Sequence, residues 1–480
     1  MASDKLHIHR DFVDSLCQGS HLLSNSEIMT SIDKISRIMK EHIIASDDTV
    51  RATGKTYYIS NNGNDLNDGL SPEKAWATAE HLHKMGDNLK EGDAVLFERG
   101  GIWRKPLGYT DKATPMFTAL KGVYYGAYGK GRKPILCGSE RNFAEEALWV
   151  ETEQKNVYLC TLPFYNAGLM ALDHSEELGL YDEKIATKEV VGLNGFGGLS
   201  DMHKDCSYFN DMENKKLYFY SEKGNPGKRF KSIEICGRAT IILNSSAALI
   251  ENFIFQYDGY GITGGPVMRV KNCIFRYMGG CMLYPENDCT VPCGNAIEIY
   301  GSVDEMTVEN CWIYQMVDTA VTHQMWKYEG DCIQKNIKYT DNLIEYCHWS
   351  IEFNNPPSKD GSKRAVQNFE HSYNVINNGG NGWGSINFNR QDKSAVYNCF
   401  GCAEVINGVC ESNIFNTCAG GLYRMHLPGD KDIKYRKNIN LQYKGNILGQ
   451  YLGTFYNYYE NAAEIASEHS NQKDCVFITL

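Results

Sequence analysis

Residues 336–376 read NIKYTDNLIEYCHWSIEFNNPPSKDGSKRAVQNFEHSYNVI, and the fold turns on them. Asn342 stands in the run YTDNLIE and Asn374 in SYNVI, 32 residues later. The same short motif recurs on both sides, as LIENFIF (249–255), RVKNCIF (269–275), TVENCWI (307–313), ESNIF (411–415) and KGNIL (444–448). Its aligned position holds Phe253, Cys273, Cys311, Asn342, Asn374, Asn413 and Asn446. A constant motif at unequal intervals describes a solenoid whose turns hold three short strands joined by loops of varying length. Stacked Asn side chains hydrogen-bond along a ladder and satisfy amides buried at a corner. Asn342, Asn374, Asn413 and Asn446 are therefore read as structural.

A second register lies beside the first. The strands NAIEIY, TAVTHQ, WSIEFN, GSINFN and GGLYRM align on Ile297, Val321, Ile351, Ile386 and Leu422, whose side chains point inward. Alternation sends the next residues outward on one face: Glu298, Thr322, Glu352, Asn387 and Tyr423. The row two positions on includes Tyr300 and Gln324. Asp318, His348 and Trp383 stand near the preceding corner. Arg424 and His426 take either parity, because the last strand can slip by one residue. His323 has inward parity, and a bulge would turn it into the site. No Lys occurs along these positions, unlike an ordinary solvated sheet face, so the face reads as a substrate groove.

Outward from the repeat, residues 139–235 change pattern. NVYLCTLPF and KLYFYS alternate apolar and polar residues and predict an inserted antiparallel β-module. Residues 51–138 predict the first coils, with a strand at TYYIS and a short helix over Ala77–Met85. Residues 236–480 form the main coils and a C-terminal cap. In residues 1–50, Ile28, Ile32, Ile35, Ile38, Met39, His42 and Ile43 form one helical stripe, with Ser26 as N-cap. That stripe packs on the coils or on a second copy, giving a homo-oligomer through the N-terminal helices.

The chain has 480 residues, 42% hydrophobic and 22% charged, which excludes a mostly disordered protein. No run approaches the roughly 20 apolar residues of a membrane span. A net charge of −11 argues against nucleic acid or an anionic membrane as partner. The 17 cysteines are odd in number, and many lie in strand-like runs. They read as buried free thiols in a reducing compartment. The opening MASDKLHIHRDFVDSL lacks the marks of a secretory or transit peptide, so a cytoplasmic location is expected. The tract Cys289–Cys293 has no second half to complete a zinc site, and neither metal nor cofactor is expected. The 30 Tyr, 7 Trp and 45 Gly suit an all-β scaffold that stacks sugars.

The strings YYISNNGNDLNDGLSPEKAWAT (57–78), EGDAVLFERGGIW (91–103) and GAYGKGRKPILCGS (126–139) resemble the opening coils of the pectin-lyase-like superfamily. Its members are right-handed parallel β-helices, and many cleave or rearrange polysaccharides. The insertion is similar to those of β-helix glycosidases, including β-xylosidases. The resemblance implies the fold and a glycan-active role. The superfamily spans hydrolases, lyases, epimerases and non-enzymes, so the reaction has to come from the site.

Glycoside hydrolysis needs two carboxyl groups, one to protonate the leaving oxygen and one to activate water or attack the sugar. Glu298 and Glu352 stand two strands apart, about 9–10 Å between Cα atoms at the parallel-strand spacing. Side chains can lean together or apart, so a carboxyl gap of roughly 6–10 Å follows, which leans to inversion, at about 6.5–9.5 Å, over retention at about 5–5.5 Å. Asp318 is the third catalytic candidate, kept ionised by a protonated His348. Thr322, His323, Gln324, His348, Asn387, Arg424 and His426 are candidate substrate contacts, with Trp383 and Tyr423 as sugar platforms. A cytosolic enzyme meets imported oligosaccharides, so exo-acting hydrolysis is expected, with the insertion and the loops at 285–293 and 355–365 closing one end of the groove. A lyase would use Arg424 or Arg390 as base, although no Asp triad for Ca²⁺ is present. A lyase or epimerase, or a non-catalytic glycan-binding β-helix, are the alternatives.

Overall fold

The computed structural model describes residues 7–19, 23–47, 52–175, 180–185, 187–189, 199–283, 291–325, 329–402, 404–425, 432–451, 454–458 and 474–480. Among them, three long sheets of eleven, ten and ten strands run side by side along the molecule. Neighbouring strands come from successive turns and pair in parallel, except Gly449–Tyr451 with Thr454–Tyr456. The protein is a parallel β-helix, with the right-handed winding that crossovers between parallel strands take. Inward side chains stack turn on turn. One column runs Ile250, Val270, Val308, Tyr339, His371, Cys410 and Tyr435 in direct register, all buried.

The asparagine ladder is present. Asn342 Nδ2 donates to Asn374 Oδ1 at 3.0 Å, Asn374 to Asn413 at 2.9 Å, and Asn413 to Asn438 at 2.9 Å. The last rung is Asn438 in KNINL, not Asn446. That turn is only 25 residues long, and Asn446 lies in the loop beyond it, its amide bonded to Tyr443.

Two helices cover one side of the coils, α1 (His7–Cys17) and α2 (Asn25–Ala45). The N-cap of α2 is Ser24, not Ser26, because Glu27 rather than a later residue closes the capping box with it. Ile28, Ile32, Ile35 and Met39 of α2 pack on Leu343, Val375, Ile414 and Ile439 of the coils. The stripe is thus covered by the chain's own coils. No helix among the described residues is long and apolar enough to cross a membrane.

Within residues 139–235, Val157–Thr161, Ser207–Asp211 and Lys216–Tyr220 pair antiparallel. They enclose a core of their own that includes Trp149, Tyr158, Phe164, Tyr208 and Phe219.

The sheet of interest contains β1 (Thr240–Asn244), β2 (Tyr260–Gly264), β3 (Ile297–Tyr300), β4 (Thr319–Gln324), β5 (Trp349–Asn355), β6 (Ala395–Cys402) and β7 (Tyr423–Met425) in that spatial order. GSINFN is not one of its strands. Residues Trp383–Asn387 form the one-turn helix α3, and AVYNCFGC supplies the strand instead. Glycines make the helix possible. A Cβ on Gly382 would lie 1.8 Å from the Tyr346 carbonyl oxygen, and one on Gly384 would lie 2.4 Å from Val317 Cα. Ile386, expected inside, is 55% exposed.

Candidate active site

Glu298 on β3, Thr322 on β4 and Glu352 on β5 are direct register partners on one face, as the alternation predicts. The row continues with Asn398 on β6 and Arg424 on β7. Two strand steps put the Cα atoms of Glu298 and Glu352 about 9–10 Å apart. Both are buried, at 4% and 2% exposure.

Glu298 Oε2 accepts from Asn295 Nδ2 at 2.7 Å and from the Tyr300 hydroxyl at 2.8 Å. Asn295 Oδ1 in turn accepts the Thr319 amide at 2.9 Å. Glu352 is held more completely. Its Oε2 accepts Thr319 Oγ1 at 2.9 Å, Thr322 Oγ1 at 3.1 Å and Gln324 Nε2 at 2.9 Å, and its Oε1 accepts Asn398 Nδ2 at 3.1 Å. Asn295 and Thr319 therefore tie the two glutamates into one network.

Burial disfavours the charged forms. It pushes Glu298 up to about 7, against the opposing hydrogen bonds from Asn295 and Tyr300. It pushes Glu352 up to about 8, with the neighbouring charge of Asp318 adding to the effect. Asp318 sits at the corner before β4, its side chain 16% exposed, and Arg390 Nη2 donates to its Oδ1 at 3.1 Å. Burial raises Asp318 as well, but the Arg390 guanidinium works the other way. Burial outweighs the guanidinium at Asp318, whose pKa is raised, but Arg390 beside it favours its anion over that of Glu352, which the Asp318 charge pushes further up.

A cavity of about 600 Å³ opens beside the cluster, lined by Tyr165, Arg238, Tyr260, Thr263, Glu298 and Tyr300 among others. Tyr165 comes from residues 139–235 and accepts a hydrogen bond from Arg238 Nη1 at 3.2 Å. Of the three carboxyl groups, Glu298 is the one that lines this cavity.

The structure brings Glu298, Asp318, Glu352, Thr322 and Gln324 together, and it sends other candidates elsewhere. His323 stays inward, bonded through Nδ1 to Gln334 at 2.8 Å and stacked on Phe353, because no bulge turns β4. His348 hydrogen-bonds Ser385 Oγ at 2.9 Å and is held neutral by burial and nearby cations, so Arg390, not His348, attends Asp318. Trp383 is no platform: it packs edge-on to Tyr277 and donates to the Gln315 carbonyl at 2.7 Å. Tyr423 faces the core, its hydroxyl on Asn440 Oδ1, because β7 pairs Tyr423 with inward Tyr397. Arg424 takes the outward place. Asn387 is half-buried on α3, off the face. His426 and much of the 285–293 loop lie outside the described residues. In the 355–365 loop, Pro357, Ser358 and Ser362 line a separate hollow of about 400 Å³.

Asn295, Thr319, Asn398 and the role of Arg390 were not apparent in the sequence. Asn398 carried a signal, since VYNC repeats the inward–outward pattern of IEIY and IEFN. Asn295 and Thr319 precede Glu298 and Thr322 by three residues, Asn295 at the corner and Thr319 first in β4, where strict parity turns both away from the face. Among the described residues, no group of three or more His, Cys, Asp or Glu side chains is arranged to hold a metal ion.

No family model and no curated protein sequence matches the chain. Among solved structures, it is similar to the GH136 lacto-N-biosidase from Eubacterium ramulus at 12% identity and a TM-score of 0.38, over 87% of this chain and 64% of that one. A structure described as a glycoside hydrolase matches at 10% identity and 0.42, over 82% and 94%. XylC in complex with xylose matches at 11% and 0.37, over 81% and 69%. The chain spans about two thirds of the lacto-N-biosidase structure's length. At this distance the matches carry nothing about the site, and the fold rests on the strand pairing above.

Proposed function

We propose that the protein is a glycoside hydrolase that removes terminal sugars from oligosaccharides. The observation that carries this reading is Glu298: a carboxyl group raised to about 7 that lines an aromatic-walled cavity beside a second, cation-held carboxylate. A general acid works best with a pKa near the operating pH. In this reading Glu298 gives its proton to the glycosidic oxygen as the bond to the anomeric carbon breaks. Asp318, favoured as the anion by Arg390, takes a proton from the water that attacks that carbon. Glu352, wrapped by four donors and 2% exposed, holds a proton and tunes its neighbours. Asp318 thus takes the role that the strand pattern alone assigns to Glu352. Water attack from the far face inverts the anomeric centre.

Tyr165, Tyr260 and Tyr300 supply flat faces for a sugar ring. Tyr165 joins the cavity wall from the insertion, and a pocket walled in this way supports exo action. Imported oligosaccharides in the cytoplasm remain our substrate proposal, on the strength of the free cysteines.

The test is a panel of aryl-glycosides and oligosaccharides, run with wild type beside Glu298→Gln and Asp318→Asn. Product anomers are followed by proton NMR. Each variant is expected to lose at least about 10²-fold in kcat, and the first-formed anomer to be inverted. Glycan binding with no turnover on any substrate would make the protein a binding module. Near-wild-type turnover in both variants would overturn the site.

A further inference from the structure

A second hollow adjoins the Glu298 cavity around the ring of Tyr300. It measures about 360 Å³ and is lined by Tyr300, Ser302, Glu329, Asp331 and Arg364 among others. Tyr300 walls both spaces and donates its hydroxyl to Glu298 at 2.8 Å. For a sugar held in the first cavity, the second hollow is the neighbouring space across Tyr300.

Arg364 is the unusual group there. It begins the strand Arg364–Ser372, pairs with Cys332 of the preceding turn and is only 4% exposed. Its Nη2 makes two long contacts, to the carbonyl oxygens of Glu329 at 3.3 Å and Gly330 at 3.5 Å. Its Nε and Nη1 are buried without a hydrogen-bond partner. Among the described residues no carboxylate stands within ion-pairing distance of it. Asp331 uses Oδ1 to accept the Lys363 amide at 2.7 Å, and both Asp331 and Glu329 face solvent. Arg364 also lines the neighbouring hollow, with Ser362, Lys363 and Glu404. Of the other arginines buried in the coils, Arg390 meets the carboxylate of Asp318 and Arg276 donates twice to Gln256 Oε1.

A guanidinium withdrawn from water without a counter-charge is costly, and a site that keeps one in place is poised to receive an anion. Guanidinium hydrogens suit the oxygens of carboxylates and sulfates. We propose that the hollow between Tyr300 and Arg364 is a subsite for an oxyanion carried by the substrate, a carboxylate or a sulfate on the sugar next to the one held at Glu298. The placement of that sugar rests on the hydrolase reading above, whereas the anion site itself does not.

The experiment is a binding measurement, which needs no turnover. Wild type, Arg364→Met and Arg364→Lys are titrated calorimetrically with glucuronate, galacturonate and glucose 6-sulfate, with glucose and galactose as neutral controls. Wild type is expected to bind at least one acidic sugar at least tenfold more tightly than its neutral counterpart. Arg364→Met should lose that preference and Arg364→Lys keep part of it. The carboxylate and sulfate arms tell the two oxyanions apart. Acidic sugars binding wild type no better than neutral ones would overturn the subsite, even if Arg364→Met does not fold, and bound water would then account for the free guanidinium hydrogens. Equal binding to wild type and Arg364→Met would do the same. Acidic-sugar binding that depends on Arg364, with no hydrolysis of any glycoside, would remove the hydrolase reading and leave the subsite standing.

Discussion

Asp318 and Arg390 meet at 3.1 Å across 72 residues of chain, joining the corner before β4 to the segment after α3. This contact favours the anion on Asp318 over one on Glu352. Replacing Arg390 by Met removes the cation that favours the Asp318 anion, so the Asp318 pKa rises. The acid limb of the kcat/KM profile should then move to higher pH, with activity at pH 6 falling more than activity at pH 8. Arg390→Lys should restore part of the shift. Superimposable profiles for wild type and Arg390→Met would remove Asp318 from the base role.

Glu352 offers the sharpest separation of roles. Raised to about 8, it is protonated at neutral pH, and Gln is a neutral isostere of that form. Glu352→Gln should therefore stay within several-fold of wild-type turnover at pH 6–7, while Glu298→Gln falls at least about 10²-fold. A hundredfold loss in Glu352→Gln, measured on the same substrate, would return Glu352 to the chemistry.

The ladder predicts a stability effect. Asn374 Nδ2 donates to the Tyr339 carbonyl and to Asn413, and its Oδ1 accepts from the amide and side chain of Asn342. Asn374→Ala leaves several of these buried groups unpaired, at about 1–3 kcal/mol for each unmet group. A clear drop in the urea midpoint is expected, against little change for the loop variant Asn446→Ala. Equal midpoints for the two variants would contradict the ladder.

Acid sensitivity follows from the core histidines. Burial lowers His323 to about 4 and takes His371 well below its ordinary value. The unfolded chain binds these protons first, near pH 6.5. Stability is thus complete above about pH 6.5 and falls as pH drops towards 4, with His323 accounting for about 3 kcal/mol by pH 4. Chemical denaturation between pH 7 and 4 should show a shallower decline for His323→Gln than for wild type.

Much of this architecture was legible in the sequence. The period-two alternation placed Glu298, Thr322 and Glu352 correctly because three successive turns of near-uniform geometry carry them. The pattern failed at the next turn, where SINF and VYNC both offer an apolar residue followed by a polar one. The close approach of Gly382 and Gly384 to the two preceding turns, at Tyr346 and Val317, separates helix from strand there, and that is a property of packing. At β7 a slip of one residue exchanged Tyr423 for Arg424, since a short strand contains little to fix its register. Arg390 and Asn295 act from corners, where side-chain direction depends on the bend rather than on parity.

Tyr165 reaches the cavity on a segment that leaves the coils after one turn and rejoins them before another. The base of this segment is tied to the rungs by Asn166, Leu169 and Ala171, whereas the sheet of Val157–Thr161, Ser207–Asp211 and Lys216–Tyr220 has a core of its own. If the hydrolase proposal holds, selection has in that outer part a way to refit the cavity to a new sugar while the proton-handling groups on the coils are inherited unaltered.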